Sequence, residues 1–251
     1  MKDMWGLVCY ILVSTIVVVL LLKLFKENVK EKERKDRVLK IFAIATLVLH
    51  YSSLYVDYFS NATASVDGTM LLPIFPCNLA MWMLVIVAFI KKKNTVFFTR
   101  LAEMTFYIGV VGGILGIVLN EAYFNTPQLG NWNVLKGLLS HTTMLIGCSY
   151  LFVGDYIRIR VKNMYSIALG LLLLIMDGMI TLMIFHLFKL ELPNTMYLLK
   201  APYESLPFIN TWTIGALGLL GGFIITITYE HFKLEKSERW ISKLKEKKNK
   251  K

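Results

Sequence analysis

The sequence predicts an all-α integral membrane protein, a polytopic bundle of about seven transmembrane helices. Hydrophobic residues make up 56% of the 251 residues, and the mean hydropathy is +0.56. The apolar residues are gathered into long blocks, each near the roughly 20 residues that span a bilayer as a helix. Basic residues cluster between these blocks. A soluble domain of this length carries more charge and fewer apolar runs, so the composition argues against that class.

Seven apolar blocks follow one another along the chain, and each is predicted to form one membrane-spanning helix. They cover about residues 4–25, 38–60, 71–90, 95–120, 134–154, 163–188 and 209–231. The first block is long, lacks a small-residue cleavage site and is followed by a basic segment, so we interpret it as a retained helix. No soluble module is recognisable between the blocks, and the blocks show no obvious inverted repeat. We therefore expect residues 1–251 to form a single integral membrane domain.

The net charge of +11 is explained by membrane topology. Lys and Arg cluster at residues 23–40, 91–100, 158–162 and 233–251. These clusters alternate along the seven spans as the positive-inside rule requires, with the N-terminus outside and the C-terminus cytoplasmic. We expect a basic cytoplasmic loop at 26–37, a basic cytoplasmic tail at 233–251 and a multi-pass location in the cell membrane. The predicted partners are membrane lipids and no nucleic acid, and the oligomeric state is left open.

Three longer connections are predicted on the outer face, at residues 61–71, 121–133 and 189–208. They contain most of the prolines of the chain and much of the Asn and Gly outside the spans. Irregular loops of this kind over a helix bundle indicate a covered mouth.

The third span contains the most informative run, Leu72-Pro73-Ile74-Phe75-Pro76-Cys77-Asn78. Proline is tolerated at the first helical position, so the helix is predicted to begin at Pro76. Cys77 then lies in the first turn, where free backbone N–H groups and the helix dipole stabilise a thiolate. From Pro76 to Ile90 the helix is roughly 22 Å long, at about 1.5 Å per residue. Because that is short for a bilayer, we expect non-helical residues before it and Cys77 at the floor of an outward-facing recess.

His141, early in the fifth span, is the histidine that we expect at a depth similar to that of Cys77. A Cys–His pair suits acyl transfer, because the imidazole takes the thiol proton and the thiolate attacks an ester carbonyl. Helix N–H groups can then hold the oxyanion. The alternative is a histidine that is hydrogen-bonded within the bundle and a cysteine that packs as a small apolar residue.

Other embedded polar residues leave further possibilities open. His50, Glu103 and Asp177 lie within predicted spans, where a carboxylate needs a partner or a wet cavity. They either pair across helices or line a polar path. On the fourth span, small residues with G-xxx-G spacing predict close helix packing, with a ligand groove as the alternative. These glycines are Gly109, Gly112, Gly113 and Gly116.

Several of these motifs resemble the YwaF-like integral membrane family, bacterial relatives of the vertebrate transmembrane-protein-164 acyltransferases. In chain order they are Leu72-Pro73-x-x-x-Cys77, Ser140-His141 after a loop with Pro127, and Asn194-x-x-Tyr197-Leu198 followed by Lys200-x-Pro202 and Ser205. The resemblance implies that Cys77 and His141 form the catalytic pair and that the product is an acylated lipid. The chain departs from the family at Phe75, where members commonly have His or Gln, and at Pro76.

The sequence therefore predicts a membrane lipid acyltransferase or lipid hydrolase with a Cys–His pair near the outer membrane face. Asn78, Ser140, Asn194 and Tyr197 are assigned to substrate binding. The cysteines show no zinc or redox spacing, so we expect no metal and no cofactor. A non-enzymatic membrane scaffold or sensor and a small-solute transporter remain the alternatives.

Overall fold

Apolar helices dominate the computed structural model, which describes residues 4–60, 72–201, 207 and 210–242. No strand occurs in these ranges, so the all-α prediction is confirmed. The helices are α1 (Trp5–Asn28), α2 (Lys32–Ser60), α3 (Pro76–Phe89), α4 (Val96–Val118), α5 (Glu121–Asn125), α6 (Trp132–Val153), α7 (Tyr165–Leu187) and α8 (Thr211–Lys233). Short 3-10 turns occur at Val161–Asn163, Thr195–Tyr197 and Lys236–Glu238. The predicted outer connection at 61–71 lies outside the described residues.

Each predicted span coincides with one helix, and all of these helices except α3 have at least 22 residues. Within the described ranges, five segments are long and apolar enough to cross a membrane, and they correspond to α1, α2, α4, α7 and α8. Helix α3 is apolar but has only 14 residues, and α6 has 22 residues but is more polar. The multi-pass character follows from these helices, whereas the number of seven spans and the orientation of the termini remain predictions.

Local sequence explains where several helices begin. Pro76 occupies the first turn of α3, where its missing N–H costs no hydrogen bond. The side chain of Thr95 accepts from the backbone N–H of Phe98 at the start of α4. Asn210 caps α8 in a capping box with Thr213. These caps satisfy backbone donors that a helix start leaves free.

Helix α6 lies at the centre of the bundle and contacts α1, α2, α3, α4 and α5. Eleven of its 22 residues are buried, so its polar side chains face other helices. Helix α3 packs between α2 and α4, whereas α7 covers α4 and α8 covers α7. The outer helices expose large apolar side chains, such as Leu12 and Val13 (each 60% exposed) and Leu217 (68%). An apolar surface of this kind suits contact with lipid tails.

One end of the bundle carries most of the basic side chains, and we call it the basic end. It comprises the end of α1, the starts of α2 and α4, and residues 90–95 and 154–163. Asp36 of α2 joins these parts, because it pairs with Lys93 at 3.3 Å and accepts from the hydroxyl of Tyr156 at 2.5 Å. Burial, and then the adjacent Asp36 carboxylate, raise the pKa of the Tyr156 phenol. The phenol therefore stays protonated and keeps donating at neutral pH.

Candidate functional site

The start of α3 lies at the end of the bundle opposite to the basic end. Residues 72–75 are not helical, and Phe75 is extended (φ −111°, ψ 154°) immediately before Pro76. The predicted helix start and the non-helical residues before it are both confirmed. Cys77 is therefore in the first turn of a helix that begins among protein side chains.

The thiol of Cys77 has a direct neighbour in the next residue. Its Sγ donates to the side-chain oxygen of Asn78 at 3.4 Å, and Asn78 is buried. The backbone N–H groups of Cys77 and Asn78 also lie close to the sulfur. Asn78, a predicted substrate-binding residue, thus contacts the thiol itself.

Two glycines of α4 receive the candidate nucleophile and the candidate base. A Cβ added at Gly112 would lie 3.8 Å from the Cα of Cys77, and one added at Gly116 would overlap the imidazole of His141. Gly112 and Gly116 are four residues apart and therefore lie on one face of α4, a single turn from each other. Cys77 and His141 thus occupy neighbouring positions on that face.

The orientation of His141 follows from its two successors on α6. Thr142 forms a hydrogen bond of 2.9 Å with the hydroxyl of Tyr10 on α1, and Thr143 forms one of 3.1 Å with Thr46 on α2. Successive helical residues point about 100° apart, since one turn contains about 3.6 residues. Because Thr142 and Thr143 fix α6 against α1 and α2, His141 is directed towards α4.

The imidazole of His141 has unused hydrogen-bonding capacity. Its Nδ1 is buried and has no hydrogen-bond partner in the described part of the chain, and the same holds for Nε2 of His50. His50 and Lys136 are its close titratable neighbours, and the ammonium of Lys136 donates to the carbonyl of His50 at 3.4 Å. Ser140, by contrast, is buried and donates to the carbonyl of Gly137 at 2.9 Å.

Cys77 and His141 do not hydrogen-bond to each other in this structure. The thiol turns to Asn78, and Nδ1 of His141 stays unpartnered. Catalytic hydrogen bonds are often long or absent in ligand-free proteins and form only with substrate. The two residues pack against α4 at positions one helical turn apart.

The connection after α7 is anchored against the start of α3. The backbone N–H of Met196 donates to the carbonyl of Ile74 at 2.7 Å, and the hydroxyl of Thr195 donates to the carbonyl of Gly178 at 3.1 Å. Met196 and Tyr197 both have positive φ (51° and 53°), a strained conformation for residues with a Cβ. Strain of this kind persists only where its surroundings enforce it and is concentrated at functional sites.

Two predicted substrate-binding residues belong to this connection. The side chain of Asn194 donates to the carbonyl of Lys200 at 2.9 Å and accepts from the backbone N–H groups of Leu199 and Lys200, so it holds the loop in shape. The ring of Tyr197 lies 5.3 Å from that of Phe75, two residues before Cys77. Pro202 and Ser205, further along the same motif, lie outside the described residues.

The embedded carboxylates differ in their surroundings. Glu103 is 2% exposed and accepts from Arg100 at 2.6 Å, Asn163 at 2.7 Å and Ser166 at 2.6 Å. It therefore links α4 to the start of α7 near the basic end. Asp177, on α7 beside Gly178, has one buried oxygen without a hydrogen-bond partner among the described residues.

Comparison with known proteins assigns the family. A family model described as the TMEM164 family matches residues 2–229 of the chain. The chain belongs to the TMEM164 family. The resemblance to relatives of transmembrane protein 164 is thereby confirmed, and the protein is a multi-pass integral membrane protein. Neither the curated proteins nor the solved structures include a significant match to this TMEM164-family chain.

Sequence reasoning missed how Gly112 and Gly116 shape this site. Their spacing predicted close packing, which is confirmed, because side chains of α3 and α6 press against the stripe. The motif did not reveal that the side chain packed against Gly116 would be that of His141. A histidine on one span and a G-xxx-G stripe on the span before it are a signal that could be sought elsewhere.

Proposed function

We propose that the protein transfers acyl chains between lipids, or hydrolyses lipid esters, in a cell membrane. Cys77 is the nucleophile and His141 is the general base. The observation that carries this proposal is the packing of Cys77 against Gly112 and of His141 against Gly116, one turn apart, with Nδ1 of His141 unpartnered among the described residues. The resemblance of the sequence motifs to the vertebrate transmembrane-protein-164 acyltransferases implies the same reaction class.

The first step forms a thioester. A nitrogen of His141 takes the thiol proton of Cys77, the sulfur attacks the ester carbonyl, and an S–C bond forms as the ester C–O bond breaks. The imidazolium returns its proton to the departing alkoxide of the lysolipid. In the second step, the hydroxyl of another lysolipid, or water, loses its proton to His141 and attacks the thioester. The thiol is then regenerated, and no cofactor is needed.

The surroundings of the thiol explain why a base is required. A neutral thiol is a much weaker nucleophile than a thiolate, so Cys77 needs a base that takes its proton. In the resting state, Asn78 accepts the thiol hydrogen. Reaction requires the thiol to turn away from Asn78 and towards His141 when substrate enters. The backbone N–H of Cys77 then holds the negative oxygen that develops on the ester, whereas the N–H of Asn78 already donates to the carbonyl of Phe75 at 2.9 Å.

The remaining predicted site residues have supporting roles in this proposal. Ser140 donates to the backbone of its own helix and keeps the turn before His141 in place. Asn194 shapes the connection that carries Tyr197, and the ring of Tyr197 lies against that of Phe75, two residues before Cys77. We infer that the pair contacts the lipid, near the outer membrane face.

The proposal is tested with purified protein in liposomes that contain a phospholipid with a labelled acyl chain and an unlabelled lysophospholipid. We expect label on the second lipid, or as free fatty acid when the lysophospholipid is left out. Complete absence of both products would contradict the proposal. Ion-driven solute uptake that Asp177→Asn removes would then favour the transporter, and an inert Cys77 without uptake would favour the scaffold or sensor.

Gly116→Ala tests the role of the glycine in seating His141. The added Cβ would overlap the imidazole, so the ring must shift. A displacement of about 1 Å at a catalytic group can cost about a hundredfold in rate, and overpacking costs about 1–3 kcal/mol of stability. We expect turnover of Gly116→Ala in the liposome assay to fall about a hundredfold.

The matched control for Gly116→Ala is Gly218→Ala on α8. An added Cβ at Gly218 meets nothing within 4 Å, so this variant should retain the turnover and the melting temperature of the parent protein. Equal turnover of the two variants would show that the position of His141 against Gly116 does not matter.

A further inference from the structure

A second candidate site lies at the basic end, far from Cys77. A cleft of about 550 Å³ opens between the first turns of α4, residues 154–163 and the end of α8. Four basic and four acidic side chains line it. The basic ones are Arg100, Arg158, Arg160 and Lys162, and the acidic ones are Glu103, Asp155, Glu230 and Glu238.

Two of the acidic groups serve the fold. Glu103 is surrounded by its three donors, as described above. Glu230 is 4% exposed, and its two carboxylate oxygens accept from the backbone N–H groups of Val161 and Trp240, each at 2.8 Å. Glu230 therefore fastens both walls of the cleft to the end of α8.

The other two acidic groups are paired with cations. Asp155 pairs with Lys35 of α2 at 2.8 Å, and Glu238 pairs with Arg160 at 3.2 Å. Every carboxylate on the wall of the cleft therefore already has a partner. None of them is left to neutralise a further cation.

Three cationic groups in the cleft keep donors available. Arg158 and Lys162 are exposed, and neither forms an ion pair with any residue in the described ranges. Arg100 uses one guanidinium nitrogen for Glu103 and lies over the ring of Tyr165, but 28% of its side chain is exposed, and its buried Nε has no hydrogen-bond partner in those ranges. A smaller cleft of about 260 Å³ continues from the first, shares Arg158 and Arg160, and is also lined by Lys26.

A phosphate group matches this set of donors. Guanidinium and ammonium groups are the side chains that bind phosphate, and arginine does so with two parallel N–H donors. Basic pockets between transmembrane helices at the positively charged face bind phospholipid headgroups. The cleft lies at the ends of the helices, where headgroups would be found.

We propose that this cleft binds the phosphate group of an anionic phospholipid through Arg158, Lys162 and Arg100. The site is independent of the chemistry proposed at Cys77, since it lies at the other end of the bundle. Bound lipid would hold residues 154–163 together with α4. The headgroup would thereby stabilise the folded protein.

The test compares the affinity of three probes for purified protein in detergent: short-chain phosphatidic acid, short-chain phosphatidylcholine and inorganic phosphate. Apparent Kd values come from the rise in melting temperature with probe concentration. The cleft variant is Arg158→Gln with Lys162→Gln. The matched control is Lys91→Gln with Lys92→Gln, which removes the same charge from exposed positions at the same end. All four side chains are exposed, so neither variant disturbs the core.

We expect phosphatidic acid to stabilise the parent protein and the control, and to bind the cleft variant at least about tenfold more weakly, because charge-assisted hydrogen bonds are lost. Phosphatidylcholine should stabilise less than phosphatidic acid. If inorganic phosphate alone stabilises the protein and loses affinity in the cleft variant, the site is supported and its ligand is a free phosphate. If all the proteins bind phosphatidic acid equally, or the control loses as much affinity as the cleft variant, the proposal is wrong.

Discussion

Replacing Cys77 or His141 with alanine is expected to abolish lipid acyl transfer in reconstituted protein. Cys77→Ala removes the atom that would carry the acyl chain, so no thioester can form. His141→Ala removes the base, which contributes about 10²–10⁴-fold in enzymes that use general-base catalysis. The measurement is transfer of a labelled acyl chain in the liposome assay, with the melting temperature recorded for each variant.

Cys148→Ala is the matched control for this experiment. Cys148 is the other free cysteine near this stripe of α4; it is buried, whereas Cys77 is partly exposed, and it packs against Gly109. Its removal should leave turnover close to that of the parent protein, with a modest change in stability. Undiminished turnover in folded Cys77→Ala or His141→Ala protein would remove the proposed catalytic pair.

Glu103→Gln is expected to cause the largest loss of stability among the substitutions considered. The carboxylate accepts from Arg100, Asn163 and Ser166 while only 2% of the residue is exposed. A glutamine keeps the shape but loses the charge and turns one acceptor into a donor, which leaves Arg100 without its counter-charge. Breaking a buried ion pair by removing one partner costs about 3–5 kcal/mol. Thermal or denaturant unfolding in detergent measures the effect.

Glu33→Gln supplies the comparison for this stability effect. Glu33 pairs with Arg37 at 3.4 Å on the surface of α2, where both side chains are largely exposed. Exposed pairs contribute little to stability, so this variant should unfold near the parent temperature. If Glu103→Gln were as stable as Glu33→Gln, the structural role of Glu103 would be wrong. Ion transport by the parent protein and by Glu103→Gln in liposomes would then show whether Glu103 lines an ion path.

The backbone plan of this protein could be predicted from its sequence. The long apolar blocks gave all the long helices, because a bilayer demands spans of a narrow range of lengths. Pro76 fixed the start of α3, because a proline in the interior of a helix removes one backbone hydrogen bond. The G-xxx-G spacing on α4 predicted a close-packed face, because only small residues let helices approach so closely.

The side-chain arrangement could not be predicted in the same way. The direction of His141 depends on Thr142 and Thr143 meeting α1 and α2, and such contacts follow from the rotation of whole helices. Asn194 was expected to meet substrate, whereas its amide is engaged by the backbone of its own loop. Its role in substrate binding remains a prediction.

The basic cleft was hidden from sequence reasoning for a related reason. Arg158 and Lys162 belong to a cluster that the sequence explains by membrane topology alone. Whether these cations remain unpaired depends on residues distant in the chain. Lys35, for example, pairs with Asp155, so this carboxylate does not pair with Arg158 or Lys162. Charge patterning indicates which face is basic, but not which cations are left unpaired.

The labelling rate of Cys77 shows whether His141 activates the thiol. The probe is a lysophospholipid that carries an iodoacetamide group, and the labelled position is read by peptide mass spectrometry. The rate at Cys77 is measured in membranes for the parent protein and for His141→Ala, with Cys148 as an internal reference. We expect Cys77 to be labelled much faster than Cys148, and the rate at Cys77 to fall at least about tenfold without His141. Labelling of Cys77 at the same rate with and without His141 would show that His141 does not activate the thiol.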